Sequence, residues 1–72
     1  IYLSPNPSTG LLQLNIPGDG TLRLFDAAGN LVRQHYLTEG TAILRFDDLM
    51  SGIYQVQIET ARCVFWGKWA KI

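Results

Sequence analysis

The chain has one cysteine, Cys63, so no internal disulfide can staple its fold. A lone thiol of this kind is expected to be a small buried hydrophobe. It has one histidine, His35, which leaves a catalytic triad without partners. Ser4, Ser8 and Ser51 all fall in turn-forming stretches and lack a nucleophile-elbow pattern. His35 therefore reads as a solvated strand residue. Charged residues make up only 17%, and six basic side chains cancel six acidic ones. Nothing here draws the chain to nucleic acid or to an anionic membrane surface. No apolar run approaches the roughly 20 residues of a bilayer-spanning helix, so no transmembrane segment is expected.

What the chain has is dense, even punctuation. Turn signals recur at Ser4–Pro7, Ser8–Gly10, Pro17–Gly20, Ala27–Asn30, Thr38–Gly40, Asp47–Gly52 and Thr60–Arg62. They leave pieces of strand length, too short for independent helices. Within the pieces apolar and polar residues alternate. Leu12, Leu14 and Ile16 oppose Gln13 and Asn15, and Leu22 and Leu24 oppose Thr21 and Arg23. Tyr54, Val56 and Ile58 oppose Gln55, Gln57 and Glu59. A period of two means a strand with one buried face. Ala42, Leu44 and Phe46 repeat the pattern with a less polar outer face, whereas Leu31–Leu37 is ambiguous. Ile1–Leu3 suits a short edge strand ended by Pro5 and Pro7. Asp26–Asn30 reads as a tight hairpin with Gly29 in the left-handed position, and Leu49–Gly52 reads similarly. The fold class expected is all-β: a small antiparallel β-sandwich, immunoglobulin-like, of about six or seven strands. Residues 1–72 make one domain.

The last stretch, Cys63–Ile72, carries apolar residues at both parities. Phe65 and Trp69 share one parity, Val64 and Trp66 the other. A bulge at Gly67 is one way to reconcile them. Core packing is expected for Tyr54 and one tryptophan; the other is open between packing and a partner surface.

Three segments and an ending together resemble one family. Tyr2-Leu3-Ser4-Pro5-Asn6-Pro7-Ser8-Thr9-Gly10 is similar to its Tyr-Pro-Asn-Pro opening and following glycine. Leu24–Val32 is similar to its strand–turn–Gly-x-x-Val element. Asp48–Val56, with Leu49, Gly52 and Tyr54, is similar to its Leu-x-x-Gly-hydrophobic-Tyr signature. Lys68-Trp69-Ala70-Lys71-Ile72 resembles its closing Lys-aromatic-x-Lys. The family is the type A C-terminal sorting domain of the type IX (Por) secretion system of the Bacteroidetes. Ser4 and the heavy pair Phe65 and Trp66 depart from its usual pattern.

The resemblance implies a non-catalytic tag, read folded by the type IX translocon through Lys68, Trp69, Lys71 and Ile72. Pro5, Asn6, Pro7, Gly10, Gly29, Leu49, Gly52 and Tyr54 are then structural. It implies a cargo domain upstream in the same chain, and export through the periplasm to the cell surface or the surroundings. A sortase-like cysteine peptidase then removes the tag, and the cargo is anchored or released. The chain opens at Ile1 rather than methionine and is read as a piece of a longer secreted protein, cut at or before its start. The other reading of the residues is a non-catalytic adhesion or carbohydrate-binding sandwich.

The residues themselves offer little chemistry. Adjacent Asp47 and Asp48 point apart in an extended chain and do not converge as an acid–base pair. Asp19, Asp26, Asp47 and Asp48 follow no EF-hand spacing, so no metal or cofactor is expected. Lys68 and Lys71 also fit the role of charges that guard an edge strand, and an uncovered last strand would pair copies into an edge-strand dimer.

Overall fold

The computed structural model describes residues 9–72. The expected edge strand at Ile1–Leu3, and Pro5, Asn6 and Pro7, lie outside the described residues. Six strands follow: β1 Leu11–Ile16, β2 Gly20–Phe25, β3 Leu31–Leu37, β4 Gly40–Arg45, β5 Gly52–Thr60 and β6 Val64–Lys71. They form two antiparallel sheets, one ordered β3-β2-β5-β6 and one pairing β1 with β4. The two pack face to face as the small β-sandwich that the alternation predicts. Leu12, Leu14 and Ile16 from one sheet meet Leu22, Leu24, Val56 and Ile58 from the other, all 2% exposed or less.

The ambiguity of β3 has a local cause. Leu24 pairs with Arg33 but Phe25 pairs with Leu31, so Val32 is an extra residue. This bulge resets the parity of β3. Beyond it Arg33, His35 and Leu37 share the core side with the β2 residues they oppose. Only Leu37 is buried. Among the described residues only two strands face these four, and the core side of β3 is less covered and takes half-buried Arg33 and exposed His35. His35 is exposed, as expected, with its ring 5.6 Å from Phe46.

Three expectations are corrected. Gly67 hosts no bulge: β6 pairs with β5 in unbroken register from Val64 opposite Glu59 to Lys71 opposite Gly52. The Leu49–Gly52 loop is no hairpin, because β4 and β5 lie in different sheets and it carries the chain between them. Cys63 is exposed rather than buried. Its backbone closes the β5–β6 turn, with Thr60 N–H donating to its carbonyl at 2.8 Å and its own N–H donating to Thr60 Oγ1 at 3.1 Å. The backbone thus fixes Cys63 at a hairpin tip, away from the core.

Gly20 carries a packing role that turn statistics do not reveal. A Cβ there would sit 2.3 Å from the Glu59 carbonyl oxygen, a backbone atom that cannot swing aside. A Cβ on Gly18 would meet nothing within 4 Å. Gly20→Ala should therefore lose about 1–3 kcal/mol, the usual range for overpacking. Gly18→Ala should lie within about 0.5 kcal/mol of the parent. Urea denaturation of both variants measures the contrast.

Candidate functional site

Elements far apart in sequence come together at one end of the sandwich. Gly10 leads into β1 and its carbonyl accepts the Phe46 N–H at 2.8 Å. The Asp26–Asn30 turn between β2 and β3 lies at the same end, as does the loop from Phe46 to Gly52. Lys71 is paired with Gly52, so β6 and Ile72 finish there too.

The turn is built around one carboxylate. Asp26 Oδ1 accepts N–H bonds from Ala28 at 3.0 Å and Asn30 at 2.9 Å. Its own N–H donates to the Asn30 carbonyl at 2.9 Å, and Gly29 N–H donates to the Asp26 carbonyl at 3.0 Å. Gly29 has φ +89°, the left-handed conformation expected of it. The Asn30 N–H bond holds the Asp26 carboxyl below the usual range against an opposing desolvation, with lesser support from the Asn30 side chain and the Ala28 and Gly29 N–H groups.

The loop is tied at three points. Leu49 N–H donates to the Phe46 carbonyl at 3.2 Å, and the Tyr54 hydroxyl donates to the Met50 carbonyl at 2.6 Å. Asp48 pairs with Arg33, which reaches across from β3. Asp47 lies 3.8 Å from Arg45 instead, so the two adjacent carboxylates serve different cations. Between turn and loop runs an open cleft of about 480 Å³, walled by Val32, Leu49, Met50, Ile53 and Tyr54. Its lining is mainly aliphatic, and the carboxylates at its rim, Asp26 and Asp48, are already engaged. Such a surface can grip an apolar side chain but has no acid–base pair to offer. Among the described residues no group of three or more His, Cys, Asp or Glu is placed to hold a metal ion. No helix among them is long and apolar enough to cross a membrane.

The closing segment divides. Lys68 is exposed, Lys71 half-buried, and Ile72 66% exposed at the tip. Trp69, expected in the same readable surface, is 0% exposed. Its ring packs 5.8 Å from Phe46 at 64° and 5.9 Å from Tyr54 at 42°. It faces the core because it is registered with the inward Tyr54. Trp66, three positions earlier, therefore points outward and is 56% exposed. Leu49 and Tyr54 pack on the same interior. Sequence reasoning missed Arg33 and its pairing with Asp48. The only signal was the broken alternation of β3.

The Asp26 turn generates a pH dependence. Its carboxyl titrates lower folded than unfolded. Its contribution is therefore complete above the unfolded value of about 3.9 and is lost as pH falls through the lower folded value. An NMR titration should place the Asp26 midpoint below about 3.9. Asp26→Asn, which cannot titrate there, should flatten the acid limb of the stability–pH curve. An unshifted midpoint would contradict this account.

Comparison with known proteins gives the context for this end of the molecule. No curated protein matches the chain. The family described as the secretion system C-terminal sorting domain matches residues 1–70. Matched over nearly its whole length, the chain belongs to the type IX secretion C-terminal sorting domains, which direct export to the cell surface or the extracellular space.

Proposed function

We propose that the end of the sandwich formed by Gly10, the 26–30 turn, the 46–52 loop and Lys71-Ile72 is the surface read by the type IX translocon. The carrying observation is convergence. Segments spread from Gly10 to Ile72 meet at this one end, beside an apolar cleft. A transport machine that selects folded cargo needs one contiguous patch, presented only when the chain has folded. Here the turn, the loop and the tail take their places only if both sheets have assembled. An unfolded chain scatters them.

In this reading the domain is a non-catalytic address. The cargo precedes it in the chain and follows it across the outer membrane. A sortase-like cysteine peptidase then cuts the domain off, and the cargo is attached to the surface or released. Lys68, Lys71 and Ile72 make contacts with the translocon, while buried Trp69 acts as the strut that holds them in place. Strand pairing between copies is not needed. On β3, the bulge at Val32 and the charge of Arg33 oppose such pairing.

The test separates contact from strut. Lys71→Glu combined with removal of Ile72 should leave stability within about 0.5 kcal/mol, as expected for surface changes. Export of a fluorescent protein fused ahead of this chain, in a type IX host, should nevertheless fall at least tenfold. Trp69→Ala should lose about 3–5 kcal/mol and fail through unfolding. Undiminished secretion of the folded tail variant would overturn the assignment.

A further inference from the structure

We propose that the outer face of the four-stranded sheet is a binding site for a neutral glycan, built on Phe25 and Trp66 and separate from the sorting end. The register places Arg23 and Phe25 of β2, Gln55 and Gln57 of β5, and Trp66 of β6 on the side away from the core. Phe25 and Trp66 stand two strands apart, with β5 between them. Neighbouring strands are about 4.8 Å apart, so the two backbones are separated by roughly twice that. Their ring centroids are nevertheless 5.9 Å apart, with planes inclined by 32°. Both rings therefore lean inward over β5 and form a shallow aromatic floor beside its glutamines. Trp66 keeps 56% of its surface in solvent.

Next to that floor lies a fixed polar array. Arg23 donates through one guanidinium nitrogen to Gln57 Oε1 at 3.1 Å and to Glu59 Oε1 at 2.7 Å. Guanidinium, amide and carboxylate hold one another in place; the guanidinium and amide keep further N–H donors and the carboxylate further acceptor sites. Beyond them Tyr36, 83% exposed, stands on the same face opposite Thr21. The Arg23–Glu59 pair cancels its own charge, and Lys68, opposite Gln55, leaves the face one positive charge, far from the row of cations that a phosphate backbone or an acidic polymer needs. Aromatic faces for apolar C–H groups, beside a neutral fork of donors and acceptors for hydroxyls, match a sugar ring.

Size decides against a protein occupant. Four strands by four outward rows span roughly 19 by 27 Å, about 500 Å². A standard protein–protein interface takes about 800 Å² from each partner. A second copy would be held poorly, whereas a short run of sugars is accommodated.

The test is affinity electrophoresis of this 72-residue chain through gels containing galactomannan, xyloglucan or mixed-linkage β-glucan, with tryptophan fluorescence titration against the matching hexasaccharides. Retarded migration in at least one gel is expected. Trp66→Ala should weaken binding at least tenfold, and Trp66→Phe should stay within about threefold, since a ring still stacks. Circular dichroism and thermal melting of both variants should match the parent, because Trp66 stands outside the core. The proposal is overturned by unretarded migration in every gel, by retardation that survives Trp66→Ala, or by equal retardation in heparin. None of these readouts involves secretion, so failure here leaves the sorting assignment standing, and the converse holds.

Discussion

The packing of Trp69 against Phe46 and Tyr54 is the contact on which this molecule rests. Phe46 ends the two-stranded sheet, while Tyr54 and Trp69 belong to the four-stranded one, so three rings bolt the layers together. Among the described residues the buried indole Nε1 has no hydrogen-bond partner. A buried N–H left unpaired costs about 1–3 kcal/mol. Burying 150–250 Å² of indole at about 25 cal/mol per Å² gives roughly 4–6 kcal/mol, so burial outweighs it. For a chain of this size total stability is of the order of 4–11 kcal/mol. One side chain thus accounts for a large share of the fold.

The same rings organise the sorting end. Tyr54 packs on Trp69 and hands its hydroxyl to Met50, which shapes the loop lining the cleft. Phe46 takes the Gly10 carbonyl through its N–H and gives its own carbonyl to Leu49. Core and surface are thus coupled through a few residues. The Arg33–Asp48 pair adds position more than energy, since exposed ion pairs contribute at most about 1 kcal/mol. Its use is to join β3 to the 46–52 loop.

The two-against-four arrangement also explains why so small a domain shows two distinct surfaces. The two-stranded sheet covers one face of the larger sheet and leaves the other in solvent. The 26–30 turn, the 46–52 loop and Ile72 gather at one end of the sandwich, and the outer face offers side chains in regular rows. An end patch and a flat face can therefore serve different ligands without sharing residues.

Much of this was legible in the residues themselves. Strict alternation placed β1 at Leu11–Ile16 and marked Tyr54, Val56 and Ile58 as one buried row, because side-chain direction in a strand depends only on parity. Gly29 announced its turn because few other residues tolerate that backbone conformation. Tertiary structure alone decided which tryptophan goes inside. Trp66 and Trp69 differ by an odd number, so an unbroken strand must send them to opposite faces. Only the pairing of Trp69 with inward Tyr54 selects which is which. It also decided that Leu49–Gly52 crosses between sheets, that Val32 is a bulge, and that Cys63 sits at a hairpin tip. Each of these depends on which strands pair and in what register, and periodicity along one strand carries no information about partners.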